Sequence, residues 1–368
     1  MNIQQAKTLI KTVFNQQLKT GVRMSIELQS GPGIGKSDCV AQVAEELGNP
    51  NCNGPGKPHR DFIGQEVACK TFFLSTVEAP DVRGFAVPSK DSDGNAIMQF
   101  TRAPWVPGSH DPAHGILFLD EFRQASHDVQ KPAAELLLNG RVGESSLPPG
   151  WMVVAASNRE SDRSGVQREL AFVSNRRMLI TITPELDAWV AWAEKKAIHW
   201  TAVAFAKVNP GVVFTNEVPQ KGGPFCTPRS LVKLSYLIDT MPIELFTEAA
   251  AGTIGEGVAA QFVSFLRVAQ QIPAFEDIVK DPKKCRLPES DRPDAQYATM
   301  QMVSYRVDKD TAKPAFEYLK RMPKEFQVAG LKSALTRSGA LVQSKGFAEW
   351  LRENKELVMN ANLLDRNN

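Results

Sequence analysis

The chain has 368 residues, 42% hydrophobic and 23% charged, which excludes wholesale disorder and is more than one core usually organises, so two or three units are expected. Lys and Arg total 43 against 41 Asp and Glu. With its basic clusters, Lys195-Lys196 and Lys283 to Arg286, short and free of interleaved aromatics, nucleic acid is not the expected partner. Five cysteines without CxxC spacing fit a reducing compartment, and no run approaches the ~18 apolar residues of a membrane span, so a cytoplasmic protein is expected.

Apolar residues at helical spacing from Ile3 to Leu18 predict an opening amphipathic helix. Met24 to Gln29 then reads as a strand, and Val40, Val43, Ala44 and Leu47 as the buried stripe of a helix stopped by Gly48. Asn49 to Lys70 is an expected loop, Thr71 to Ser75 a second strand, and Asp93-Gly94 the turn of a hairpin able to touch a substrate. Ile116 to Leu119, Met152 to Ala156 and Met178 to Ile182 are further strands, and their alternation with helices implies a parallel α/β sheet. Pro132 falls inside the helix expected after Asp120-Glu121 and implies a kink or a delayed start. Beyond Thr183 the pattern is helical, clearest over Leu186 to Phe205, Ser230 to Ile238 and Val258 to Val268. The Pro-, Asp- and Lys-rich stretch from Pro273 to Pro293 marks a boundary. The expected domains are therefore 1–184 (α/β), 185–272 (a helical lid) and 273–368 (a mainly helical extension).

The strongest chemical signal is SGPGIGKS, Ser30 to Ser37, placed between a strand and a helix. Such a phosphate loop uses its glycines to bring backbone N–H groups to phosphate oxygens. Gly31, Pro32, Gly33, Ile34 and Gly35 form the cradle, Lys36 reaches the outer phosphates, and Ser37 is a magnesium ligand at the helix N-terminus. Ser30 stands where the motif usually begins with glycine. In GILFLDEF, Gly115 to Phe122, an apolar strand ends in two carboxylates. Asp120 is placed to hold magnesium-bound water and Glu121 to polarise the water that attacks in line. Asn158, after the strand in VVAASNRESDR, is placed to orient the same water or contact the γ-phosphate. The sequence HDPAH, with His110 and His114, reads as a polar loop and not a zinc site because proline prevents a one-face helix. Asp162-Arg163 has no assigned role, and Trp189 and Trp192 are expected to pack the lid.

The order SGPGIGKS, DVRGF, GILFLDEFRQA, AASNRESDRSG, SNRR and TPRSL resembles MoxR-like AAA+ ATPases over roughly Met24 to Arg267. The resemblance implies a P-loop AAA+ α/β fold with a helical lid, a hairpin insert before the acidic motif and a second one at Val142 to Pro149, both commonly facing a ring's central pore. It also implies Asn158 as sensor 1, Arg176 as the arginine finger and Arg229 as sensor 2. Arg176 matches the arginine that usually precedes Phe, but here Arg177 follows, so the finger is Arg176 or Arg177, with Arg176 favoured. Thr227 suits an N-cap and Pro228 N1, which forces Arg229 into the positive end of a helix dipole, where a bound phosphate explains it better than stability does. The expected function is Mg-dependent ATP hydrolysis by a homo-oligomeric ring, of hexameric kind, that remodels a protein partner; the resemblance suggests a von Willebrand factor A-like domain protein. The alternatives are a nucleic-acid motor or loader on the same core and a non-hydrolysing nucleotide switch, the latter disfavoured by Glu121.

Overall fold

The computed structural model describes residues 1–48, 66–162, 165–167, 171–215, 217–220 and 222–353. Most of the loop expected from Asn49 to Lys70, Arg163 and the last 15 residues, 354–368, lie outside the described residues. The chain divides into two compact units, Met1–Pro184 with Asn216–Val218, and Glu185–Thr215 with Pro219–Asn368.

In the first unit, α1 (Ile3–Thr20) is fixed at its start by a reciprocal capping box between Asn2 and Gln5 and buries Ala6, Ile10, Val13 and Phe14, as its apolar stripe requires. Strand β1 (Ile26–Gln29) leads through the glycine loop into α2 (Lys36–Gly48). β2 covers Val67–Phe73, earlier than Thr71 to Ser75, and pairs with the next sheet strand from Val67 opposite His114 to Phe73 opposite Asp120. It lies at the sheet edge, where Lys70 and other half-buried residues are tolerated and the apolar run that marks a central strand is absent. Then follow α3 (Ala79–Arg83) and the antiparallel hairpin β3 (Ala86–Lys90) and β4 (Ala96–Phe100), turning at Asp93-Gly94 as expected. β5 (His114–Asp120), α4 (His127–Asn139), a short hairpin of β6 (Arg141–Val142) and β7 (Ser145–Ser146), β8 (Trp151–Ser157), α5 (Ala171–Ser174) and β9 (Met178–Thr181) complete the unit.

Five strands form a parallel sheet in the order β2-β5-β8-β1-β9. Alternation sends Ile26, Leu28, Ile116, Phe118, Met152 and Val154 into the core shared with α1 and α2, and Leu117, Leu119, Val153 and Ala155 into the core shared with α4. The carboxyl ends of β1, β5 and β8 thus emerge side by side, the edge where parallel sheets bind ligands. A 3-10 turn, Phe122–Gln124, delays α4 to His127, yet Pro132 still sits inside the helix. The carbonyl of Asp128, deprived of its usual donor, belongs to an exposed residue that water can serve.

The second unit is helical. Where one helix is expected from Leu186 to Phe205 there are two, α6 (Leu186–Lys195) and α7 (Trp200–Val208). Ala197 takes the left-handed conformation at φ 53 and His199 Nδ1 caps α7 by accepting from Thr201 N at 3.3 Å, while the apolar pattern continues through the break. The remaining helices are α8 (Pro210–Val213), α9 (Pro228–Ser235), α10 (Ile243–Ile254), α11 (Glu256–Ala269), α12 (Phe275–Lys280), α13 (Pro293–Arg306), α14 (Ala312–Leu319), α15 (Lys324–Arg337) and α16 (Lys345–Glu353). One hydrophobic core is built on Phe205, Phe246 and Phe262, and Trp189 and Trp192 pack against it as expected, Trp189 meeting Phe214 edge-on at 5.6 Å. A second core gathers Phe316, Tyr318, Phe347 and Trp350.

A buried polar network ties α6 and α7 to α13 and α15. Lys207 Nζ donates to Gln301 Oε1 at 2.9 Å and pairs with Glu194 at 3.4 Å, Gln301 Nε2 donates to Ser333 Oγ at 3.1 Å, and Ser333 Oγ donates to Glu194. Burial lowers the Lys207 pKa against the pull of Glu194, which is why the ammonium needs both of its acceptors, Gln301 and Glu194. No described helix is long and apolar enough to cross a membrane.

Candidate nucleotide site

The loop from Ser30 to Gly35 joins the end of β1 to the start of α2, so the unpaired N–H groups of the first helical turn face the same edge as the strand ends. Gly33 (φ 74) and Gly35 (φ 96) hold conformations that strain any other residue, and a Cβ added to Gly35 would meet nothing within 4 Å, leaving that backbone open to a ligand. Ser30 does not need to be glycine: it lacks a positive φ and is fully buried. Its hydroxyl accepts from Lys36 Nζ at 3.1 Å and donates to the Gly31 carbonyl at 3.0 Å.

Lys36 is 7% exposed. Its ammonium also donates to the carbonyls of Ser30 and Gly31, both at 3.2 Å, and to Asn158 Oδ1 at 2.9 Å, which brings the sequence-predicted lysine and asparagine together. Ser37 Oγ donates to Asp120 Oδ2 at 2.8 Å, so the two predicted magnesium ligands meet as well. Glu121 follows Asp120 in the left-handed region at φ 57 and ψ 36, a strained setting for a glutamate, and Ser75 Oγ donates to its Oε2.

Three sets of contacts escaped sequence reasoning. Ser75, at the end of the β2 arm, contacts Glu121. Arg159, next to Asn158, is gripped by the buried Asp162, with Nη2 to Oδ1 at 2.6 Å and Nε to both oxygens at 3.1 Å, and its guanidinium lies against the loop, 3.2 Å from where a Cβ on Gly31 would be. Asp162 thus has a partner that the unassigned Asp162-Arg163 neighbour pair did not suggest. Glu27, Arg123, Ser157 and Arg177 form a buried ionic cluster, with Arg123 Nε on Glu27 Oε1 at 2.7 Å, Ser157 Oγ on the same oxygen and Arg177 Nε on Oε2. Short-range signals could have found only Arg159, as the neighbour of a predicted site residue.

The Arg177 side chain is 1% exposed and also donates from Nη1 to the Val173 carbonyl at 2.8 Å, whereas Arg176 is half-buried with Nη1 3.5 Å from the Ala134 carbonyl. In the second unit, Thr227 is the N-cap and Pro228 N1 of α9, Thr227 Oγ1 accepts from Ser230 N at 3.1 Å, and Arg229 is exposed in the first turn. Asp111, between the two histidines of HDPAH, pairs with Lys70 at 3.3 Å and accepts from Gly108 N at 2.8 Å. No group of three or more His, Cys, Asp or Glu placed to hold a metal occurs among the described residues.

The residues present fit Mg-ATP. Ser37 and Asp120 are hard oxygen donors, suited to a cation that keeps waters and phosphates in its shell, and the open glycine backbone and the lysine lie along the same edge. No protein-family model matches the chain, and no curated protein does. Among solved structures it is similar to a RuvB variant from Thermotoga maritima (14% identity, 77% of each chain, TM-score 0.39). It is also similar to NtrX from Brucella abortus (13%, 94% of this chain and 67% of that one, 0.35) and to PCH-2 of C. elegans (12%, 71% and 68%, 0.33). The strand order β2-β5-β8-β1-β9 brings the glycine loop, the acidic strand end and the asparagine strand end together, an AAA+-like α/β arrangement.

Proposed function

We propose that this chain is a Mg-dependent ATPase that works as a homo-oligomeric ring and remodels or assembles a protein partner in the MoxR-like manner. The observation that carries the reading is the convergence of Lys36, Ser37, Asp120, Glu121 and Asn158 at the ends of β1, β5 and β8. Mg-ATP, when bound, supplies the transferable phosphoryl group and the cation's field. Gly31, Pro32, Gly33, Ile34 and Gly35 offer backbone N–H groups to phosphate, and Lys36 exchanges its carbonyl partners for phosphate oxygens. Ser37 and Asp120 would hold the cation. Glu121 takes a proton from the attacking water while Asn158 orients that water. Ser75, on the Glu121 carboxylate, holds the base until the site is filled.

Arg176 is the residue lent to a neighbouring subunit, and the burial of Arg177 against Glu27 supports that choice. Arg229, an exposed cation at a helix N-terminus, keeps the phosphate-sensing role that the MoxR-like resemblance implies. The hairpin of β3 and β4 carries exposed apolar residues, Ile97 at 39% and Met98 at 61%, which suit contact with a protein segment better than with a polyanion.

The test is a pull-down with Glu121→Gln, which is expected to bind Mg-ATP, hydrolyse it far more slowly and hold the partner. Wild-type turnover in that variant removes Glu121 from the mechanism. Nucleic acid in place of protein among the recovered material overturns the remodelling role and leaves the ATPase reading intact.

A further inference from the structure

We propose that Glu27 is a positioning residue that couples each subunit's own nucleotide site to the arginine it lends to its neighbour, an inference that rests on the shared-site reading above. Glu27 sits on the sheet face otherwise built from Leu117, Leu119, Val153 and Ala155, and its carboxylate is 0% exposed. A hydrophobic residue would fill such a place without the desolvation that a buried charge demands, so packing alone does not account for it.

Three partners meet this carboxylate, and each is a chain neighbour of a residue in the proposed machinery. Arg123 lies two residues after Glu121, Ser157 immediately before Asn158, and Arg177 immediately after Arg176. Glu27 itself lies three residues before Ser30, whose carbonyl and hydroxyl hold Lys36. The arms are anchored beyond the cluster: the Arg123 carbonyl accepts from Gln167 N at 2.8 Å, and Arg177 reaches the Val173 carbonyl. A shift of the Glu121 turn or of the Asn158 strand end therefore pulls on the same carboxylate that holds the side chain of Arg177, next to Arg176. The buried network has little slack in which to absorb it. Hydrolysis or release in one site is thereby reported to the site next door.

Steady-state hydrolysis, direct titration with a fluorescent ATP analogue and subunit mixing, all on the full chain, test this. Arg177→Gln and Glu27→Gln are each expected to keep the analogue's Kd within about threefold and to lose about tenfold or more in kcat. Arg177→Lys, which keeps a cation on Glu27, is expected to stay within about threefold of wild type. Mixing with Glu121→Gln subunits restores part of the activity of Arg177→Gln, which lacks only a placed finger. It does not restore Glu27→Gln, in which both arms are released.

The proposal is overturned if the folded variants melt at lower temperature but keep kcat within about twofold below melting, because the cluster is then packing alone. It is equally overturned if Arg177→Gln is inactive while Arg176→Ala is active, since Arg177 is then the finger. Should Glu27→Gln fail to fold, the contrast between Arg177→Lys and Arg177→Gln decides by the same criteria. A control mixture of Arg176→Ala with Glu121→Gln tests the underlying reading by itself. If it stays inactive after labelled subunits show exchange, the shared site fails whatever the cluster variants do.

Discussion

Replacing Glu121 by glycine is expected to leave the first unit more stable than replacing it by alanine does, while either change abolishes hydrolysis. Glu121 holds φ 57 and ψ 36, and a left-handed backbone costs an L-residue about 1–2 kcal/mol that glycine does not incur. Glycine loses about 0.5–1 kcal/mol more chain entropy on folding than alanine, which leaves a net gain of about 1 kcal/mol over Glu121→Ala. Both substitutions delete the contact with Ser75, so that loss cancels in the comparison. For a unit of this size the gain corresponds to a melting temperature about 2–4 °C higher for Glu121→Gly than for Glu121→Ala, readable by differential scanning calorimetry. Equal melting temperatures, or alanine above glycine, would refute the claim that strain is stored at this residue. Hydrolysis retained by either variant would remove Glu121 from the base role.

Lys36→Ala is expected to weaken ATP binding by about 10- to 100-fold, the worth of one lost charge-assisted contact, and an unchanged calorimetric Kd would sink the phosphate-loop assignment. Burial lowers the His199 pKa from 6.5, with Asp239 opposing, so the unfolded chain binds more protons on the acidic side of 6.5. Stability therefore rises with pH through that window, and His199→Gln is expected to flatten the pH dependence of the melting temperature there; an unaltered profile counts against it. The thiols of Cys39 and Cys226 are both pushed up to about 12 by burial, so alkylation at pH 8 is expected to reach Cys285 before either, as peptide mass mapping would show.

What the sequence disclosed was local. The phosphate loop and the Asp120-Glu121 pair are runs of consecutive residues in which glycine and carboxylate signal their chemistry, and β5 and β8 are central strands whose apolar runs are unbroken. What it hid was either a competing backbone preference or a distant partner. The left-handed break at Ala197 divides a helix without interrupting its apolar stripe, and the edge strand β2 carries too little hydrophobic pattern to show its start. The Glu27 cluster joins residues separated by 96, 130 and 150 positions, so no window along the chain contains both ends of any of its contacts. Glu27, the carboxylate that holds the buried Arg177 side chain, is likewise visible only in three dimensions.

The polar network of Glu194, Lys207, Gln301 and Ser333 makes a stiff joint inside the second unit, and a stiff joint turns angle into distance. α13, which packs on α7, has 14 residues and is about 21 Å long, so a rotation of α6 and α7 by about 10° sweeps its far end through about 4 Å. The C-terminal helices then behave as the pointer of a gauge.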